Sequence, residues 1–599
     1  MLNTSAGPSS GPQLWYALLW LFLFAQAQNA LASEETQIFV PVGEIVTPIP
    51  VGQAVEDEEP PPPIGEIPET PNYIVLLTDD QRWDTTDYMP ILKKKLIDRG
   101  VEFTNAFATN PECCPFRASM LAGGYHSSNT GVLRNEKLNG NIRNFNNDDT
   151  LATRLRGAGY KTGFVGRYMH GYEPNMMPVG WHSVASNSYL NIRDWFTLTD
   201  VTFGTRDDEG VVDKTWRDVD QYVTNFQRDE AIKFIENYGE DPFFLWVGFY
   251  APHAPFIPDT QDDGTFDDYV FEEPEGFDEP DLSDKPQWVQ RAAELWDESP
   301  GIRWHCTSKT ARKSLETLQS VDRAVGAIVD AVEAQGLLDK TVFIFTSDNG
   351  MTYGEHRQPC DKGMAYEESI KVPFIVRMPG IAPRKESKMV AANLDIGATI
   401  YEHLGIPNNG DGANLMPLLE DSAAPWRTQV FLENFGYLEW RLEDYPVWAG
   451  LRIQEQGTMW KYVEHSSGEI ELYNLDQDPK ELESLHLEAQ HAGLISTLSN
   501  KVAQQKGIAI ITDKAPSGEL NQSYTFTPQA WGGSPPYSWK VIDGSVPPGL
   551  TLLPGGQVIG TPNTAGTYSV TLEVNGQRTL PHKPQKEYFR RIYEIEIAP

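Results

Sequence analysis

Two acidic pairs carry the first chemical signal. Asp79-Asp80 follow the apolar run NYIVLLT (72–78), and Asp348-Asn349 follow TVFIFTS (341–347). Adjacent oxygen donors at strand ends suit a hard divalent cation; Ca²⁺ takes about six to eight oxygens in irregular geometry. One Asp-Asp pair is ordinarily a solvated loop, but two pairs at equivalent strand ends point to a shared centre. A third acidic stretch, 259–284 (DTQDDGTFDDYVFEEPEGFDEPDLSD), lacks ordered EF-hand spacing and reads as a solvated surface insertion. Cys113-Cys114 open the segment CCPFRASML (113–121). On a helix starting there, Arg117 shares a face with Cys113. Adjacent cysteines suit structural, metal-binding or catalytic use, although a zinc site lacks its second CxxC or His-x-His set. His253 lies between Pro252 and Pro255, which stiffen its loop and suit a held acid. By residue type alone, a single loop histidine is structural.

These residues need a scaffold. NYIVLLT, DPFFLWVGFY (241–250) and TVFIFTSDNG (341–350) are apolar runs that end in polar residues, as buried parallel strands do. Helical periodicity lies between them, at 88–99, 149–158, 217–238 and 308–335. Strands alternating with helices predict an α/β domain with a mainly parallel sheet flanked by helices, whose site lies beyond the carboxyl ends of the strands. From about 515, YTFTP, YSWKVI, LTLL, QVIGTP, GTYSVTLEV and YEIEIAP are short strands between Gly/Pro turns, which predicts a small β-sandwich over 515–599.

Composition narrows the function. The chain has 599 residues, 48 Lys+Arg, 84 Asp+Glu and a net charge of −36. That balance argues against nucleic acid and against anionic membrane surfaces. Four cysteines exclude a disulfide scaffold. The apolar run at 14–25 is shorter than the ~20 residues that span a bilayer and precedes Ala30-Leu31-Ala32, a small-x-small pattern. Residues 1–32 therefore read as a signal peptide, even without Lys or Arg before the run, and the mature protein is expected to be secreted or periplasmic. Residues 33–70, rich in Pro and acid, read as an extended linker.

The Cys113–Leu121 segment, C-x-P-x-R followed by A-S-M-L, resembles the signature of type I sulfatases of the alkaline phosphatase superfamily. Its CCP form is similar to N-acetylglucosamine-6-sulfatases and extracellular endosulfatases. The likeness is collinear over roughly 70–490. It includes IVLLTDDQ (74–81), Ala251-Pro252-His253-Ala254-Pro255, Ser347-Asp348-Asn349-Gly350, Asp361-Lys362-Gly363 with Glu367 and Lys371-Val372-Pro373, and ELYNLDQDPKELESL (471–485). Several motifs in order are far more specific than one. The resemblance implies a catalytic domain over 71–425, a smaller C-terminal subdomain over 426–510 and sulfate monoester hydrolysis. It also implies that a formylglycine-generating enzyme oxidises Cys113 to Cα-formylglycine, whose hydrated gem-diol attacks sulfur. Asp79, Asp80, Asp348, Asn349 and residue 113 would hold Ca²⁺, with Mg²⁺ the alternative. Arg117 would orient the diol, and Lys362 and His253 would contact sulfate and the leaving oxygen. The region after 515 resembles Ig-like modules of bacterial secreted enzymes, either an inert spacer or a carbohydrate- or surface-binding unit.

The chain departs from the family pattern in places. Phe116 replaces Ser or Thr, and Ala122 and Gly124 replace the usual Thr and Arg/Lys. In GRYMHGYE (166–173), Arg167 stands where Lys is usual, and His170 falls one place beyond the usual histidine; it either reaches the diol or is structural. A phosphonate monoester hydrolase or phosphodiesterase carries the same C-x-P-x-R, and a degenerate carbohydrate-binding protein is a third reading. Cys306 and Cys360 are left open between a disulfide and two free thiols, and Cys114 is expected buried and inert. The net charge and the lack of a basic insertion favour a sulfated mono- or oligosaccharide substrate over a long polyanion.

Overall fold

The computed structural model describes residues 66–599 apart from 125, 136–141, 174–175, 187–195, 299–300, 302, 304, 437–444, 513 and 580–585. The expected signal peptide and most of the expected linker lie outside the described residues.

The organising element is a ten-stranded sheet. Its strands in chain order are β1 (Asn72–Asp79), β2 (Val101–Phe103), β3 (Lys161–Gly166), β4 (Ser183–Ser186), β5 (Thr197–Arg206), β6 (Val212–Asp220), β7 (Phe243–Pro252), β8 (Thr341–Ser347), β9 (Phe374–Arg377) and β10 (Arg384–Glu386). The spatial order is β10-β2-β9-β8-β1-β7-β3-β4-β5-β6. The central run β8-β1-β7-β3-β4 is parallel, as expected from the three apolar runs. Antiparallel strands extend it on both sides, with β9 against β8 and the β5–β6 pair against β4.

Alternation along β1 divides the core. Tyr73, Val75 and Leu77 face one apolar cluster, and Ile74 and Leu76 face the other. On the first face pack α1 (Cys113–Leu121), α2 (Leu151–Gly157) and α5 (Ala392–His403). On the second pack α3 (Val223–Tyr238) and α4 (Arg312–Ala334). Each central strand is covered on both faces, which is why it reads as a continuous apolar run.

Two expectations change. Residues 217–220, placed in a helix by periodicity, belong to β6, and α3 begins only at Val223. The acidic stretch 259–284 is not simply solvated. Asp262 receives both Arg323 guanidinium nitrogens at 2.6 Å. Glu279 accepts from His356 Nδ1 at 2.7 Å and is buried.

A four-stranded antiparallel sheet follows: β11 (Gln429–Asn434), β12 (Trp448–Glu455), β13 (Thr458–His465) and β14 (Ile470–Asn474), packed under α6 (Ala492–Gln505). It is joined to the catalytic side by buried ions: Glu367 pairs with Arg452 and Lys461, and Lys461 also pairs with Glu481. Residues 518–598 form four- and three-stranded sheets around Val558, Leu572, Tyr593 and Ile595. Among the described residues, no helix is long and apolar enough to cross a membrane.

Candidate active site

Strand register assembles the site. Leu77 and Gly166 both pair with Gly248, and Thr78 pairs with Ser347, so the carboxyl ends of β1, β3, β7 and β8 lie level. Asp79-Asp80, Arg167, His253 and Asp348-Asn349 therefore leave the sheet side by side. Asp80 turns with φ of 64°, a left-handed conformation that Asp tolerates better than most residues. His253 is framed by cis peptide bonds at Ala251-Pro252 and Ala254-Pro255. The β9–β8 pairing and the preceding loop bring Lys362 over the same end.

Cys113 is the first residue of α1, and Arg117 lies one turn later, as its spacing predicts. Arg117 is wholly buried and its directions are fully assigned. Nε and Nη2 donate to Asp348 Oδ2 at 3.0 and 2.8 Å, Nη2 donates to Asp79 Oδ2 at 3.0 Å, and Nη1 donates to the Arg167 carbonyl at 2.7 Å. Arg167 also pairs with Asp79 Oδ2, and its Nη2 lies 2.7 Å from His170 Nε2. His170 thus meets Arg167, which sets the direction of that fork.

Lys362 Nζ pairs with Asp80 Oδ1 and donates to the Cys113 sulfur at 3.1 Å. The Cys113 sulfur lies 3.5 Å from Asp79 Oδ1 and 3.9 Å from Asn349 Oδ1. Asn349 Nδ2 donates to Asp80 Oδ1 at 2.8 Å. His253 Nε2 stands 3.6 Å from Asp80 Oδ2, and Nδ1 lies 2.7 Å from the Ala254 carbonyl. A carbonyl only accepts, so Nδ1 carries the proton of the neutral ring and Nε2 is directed at the site. The candidate catalytic and metal residues Asp79, Asp80, Cys113, Arg117, Arg167, His170, His253, Asp348, Asn349 and Lys362 are thus brought together.

Electrostatics separate the roles. Burial, reinforced by Asp79, pushes the Cys113 thiol well up, so an unmodified thiol is protonated and a poor nucleophile. Burial opposes ionisation of Asp80, but Lys362 and His253 outweigh it and hold its carboxyl at about 2. Burial, then Asp79, raise the Asp348 carboxyl. Burial pushes His253 down to about 4 despite Asp80, with Lys362 and Arg167 acting in the same direction as burial.

The donor set fits a hard cation. Asp79, Asp80, Cys113 and His253 each offer a ligand atom within 4.8 Å of the others, and Asp348 and Asn349 add oxygen beside them. Burial is the main cause of the raised Asp348 carboxyl, and the neighbouring Asp79 and Asp80 carboxylates add to it.

The sequence pointed less clearly to other groups. Cys114 is buried, and burial pushes its thiol up to about 12, as an inert cysteine requires; its sulfur also accepts the His170 N–H at 3.0 Å and ties the β3 loop to α1. Glu112, Asn135 and Asn434 form a hydrogen-bonded clamp beside Cys113. Glu112 and Asn135 lie outside regular elements and Asn434 ends β11, none of them in a motif of its own. Cys306 and Cys360 form a disulfide two residues before Lys362.

The sulfatase family model matches residues 71–406, the C-terminal model of N-sulphoglucosamine sulphohydrolase matches 354–507, and an Ig-domain model matches 508–584. The chain is similar to human N-acetylglucosamine-6-sulfatase, at 28% identity over 77% of this chain and 88% of the relative. It is also similar to N-acetylglucosamine-6-O-sulfatase of Bacteroides thetaiotaomicron, at 26% identity over 72% and 85%. An extracellular sulfatase homologue of Drosophila melanogaster is 28% identical over 58% of this chain and 31% of its own length. Solved folds that superpose include a protein in complex with its substrate D-glucosamine-2-N,6-O-disulfate, with a TM-score of 0.58 and 24% identity over 73% of this chain and 97% of the other. A phosphonate monoester hydrolase from Silicibacter pomeroyi superposes with a TM-score of 0.58 and 20% identity over 73% and 95%. With the family model covering more than half its length, the chain belongs to the sulfatase family and is a sulfuric ester hydrolase.

Proposed function

We propose that the protein hydrolyses a sulfate monoester on a mono- or oligosaccharide, with residue 113 in its Cα-formylglycine form. The observation that carries this reading is the convergence of Cys113, Arg117, Arg167, His253 and Lys362 on one buried carboxylate set. Asp79, Asp80, Asp348, Asn349 and the residue-113 side chain would hold a divalent cation. An oxygen-rich set suits Ca²⁺, with Mg²⁺ the alternative. A cation bound there supplies Lewis acidity, and the hydrated aldehyde supplies an oxygen nucleophile.

The chain's own residues do the rest. Arg117 is fixed at every nitrogen, so it presents constant positive charge to residue 113 without reorganisation. Lys362 reaches from Asp80 to residue 113 and covers charge on the sulfuryl oxygens. Arg167, whose fork meets Asp79 and His170, closes the opposite side. His253 is the leaving-group acid: an anionic ester beside Nε2 lifts the imidazole from about 4 toward the range in which it donates to the departing alcohol.

Relatives named for N-acetylglucosamine-6-sulfate and a fold neighbour bound to a glucosamine disulfate support a sulfated amino sugar. The net charge of −36 disfavours a long polyanion. Export is supported by the N-terminal apolar run, the Cys306–Cys360 disulfide and the extracellular relatives. The test is turnover of defined glucosamine sulfates, an aryl sulfate and an aryl phosphate diester. The reading expects sulfate release from a 6-sulfated glucosamine; turnover of the phosphate diester alone sinks it.

A further inference from the structure

The Ig-like module packs directly on the segments that frame the catalytic centre. Phe435 lies over Phe589 of the module, with ring centroids 6.4 Å apart and planes 22° from parallel. Leu133 and Val447 belong to the same apolar cluster as Val558, Leu572 and Ile595 of the module core. Burial against such a cluster fixes backbone as well as side chains, because interiors are close-packed and transmit small shifts.

Two of these segments, those of Phe435 and Leu133, run straight into polar groups around Cys113. Asn434, next to Phe435, donates from Nδ2 to Glu112 Oε1 at 3.1 Å. Asn135, two residues past Leu133, donates its N–H to Glu112 Oε2 at 3.2 Å, and its Oδ1 accepts the Cys114 N–H at 2.9 Å. The buried Glu112 carboxylate is thus held from both sides, by one segment of β11 and one of the 133–135 loop. Glu112 is also the residue immediately before α1, and its carbonyl accepts the Phe116 N–H at 3.0 Å. The first turn of the helix that presents residue 113 therefore hangs on two clamps whose outer ends rest on the module.

We propose that the Ig-like module is a positioning element of the active site, acting through Phe589–Phe435–Asn434 and through Leu133–Asn135 to fix Glu112 and the first turn of α1. Phe589, Phe435 and Asn434 are positioning residues on this account and touch no substrate. The proposal rests on residue 113 as the source of the nucleophile. It replaces both an inert spacer and a detached binding unit as the role of the module.

The test uses the full chain and a small aryl sulfate, so that direct contact between substrate and module plays no part. Phe589→Ala is expected to lower kcat by about tenfold or more with the aldehyde content of residue 113 unchanged, since small misplacements at a reacting centre carry large rate losses. Phe589→Leu, which keeps most of the apolar volume, should restore most of that loss. In an Asn434→Ala background, Phe589→Ala should cost less than about twofold more, because residues on one path are not additive. Wild-type kcat in Phe589→Ala, or losses that simply multiply in the double variant, overturns the proposal. Should Phe589→Ala not fold, Phe435→Ala decides by the same comparison: a lowered kcat whose loss shrinks below about twofold in the Asn434→Ala background supports the proposal, and an unchanged kcat overturns it. Failure of the underlying reading is separately visible, as wild-type enzyme that turns over no sulfate ester.

Discussion

The Lys362 ammonium stands 3.1 Å from the Cys113 sulfur while paired with Asp80. One side chain thus joins the carboxylate set to the reacting residue. Burial opposes its charge, but Asp80, with Asp79 and Asp348 behind it, pushes its pKa well up, so it is cationic throughout the working range. Lys362→Ala should lower kcat/KM by about 10²–10³-fold, the loss typical of one preorganised electrostatic donor. Lys362→Arg should recover only part, since a planar fork does not replace a point charge. Steady-state kinetics on an aryl sulfate checks both; equal rates for wild type and Lys362→Ala would contradict the assignment.

Asp79, Asp80 and Asp348 are all buried within one site. Chelation should abolish turnover and lower Tm together, because the carboxylates then repel one another without a shared cation. Ca²⁺ should restore both readouts, and Mg²⁺ should do so less completely. Thermal melts and rates recorded on the same chelated sample make the comparison. A chelated enzyme that stays active and equally stable removes the metal from the account.

Glu471 accepts from Tyr366 on the catalytic side at 3.0 Å and, within the second sheet, from His465 at 2.8 Å and Tyr473 at 2.6 Å. Burial opposes its ionisation, but His465 and Tyr473 prevail and hold the carboxyl at about 2 against an ordinary 4.5. A depressed carboxyl pKa contributes stability that is fully present above 4.5 and disappears as pH falls toward 2. That contribution is on the order of 3 kcal/mol. Chemical denaturation from pH 6 to pH 2 should show a loss that is smaller in Glu471→Gln. Parallel curves for the two proteins would show that Glu471 is not the group responsible.

The Cys306–Cys360 disulfide closes a loop with a sequence separation of 54. By chain entropy such a closure is worth about 4 kcal/mol. Paired serine substitutions should lower Tm and, because Cys360 precedes Lys362 by two residues, also raise KM. Reductant should reproduce both effects in the wild type and leave the double serine variant unchanged.

The candidate catalytic residues were legible because they sit on short motifs at the ends of regular elements. Asp79, Asp348 and His253 follow long apolar strands, and Cys113 and Arg117 share one helical turn. What escaped the sequence depends on contacts far apart along the chain. The β5–β6 hairpin was hidden because every residue of β6 is at least partly exposed, so its pattern carries no core-facing period and 217–220 read as helix. The 259–284 insertion looked solvated because its carboxylates gave no hint of Arg323 or His356. Cys114 and Asn434 gained roles only when the fold set them beside His170 and Glu112.

The central claim is that residue 113 acts as an aldehyde and not as a thiol. Trypsin releases it within Gly100–Arg117, a peptide that also contains Cys114. Mass analysis of that peptide from active enzyme, with and without thiol alkylation and carbonyl labelling, reads the chemistry directly. The account predicts one carbonyl at position 113 and one alkylatable thiol at Cys114. Two alkylatable thiols and no carbonyl in enzyme that still hydrolyses a sulfate ester would contradict it.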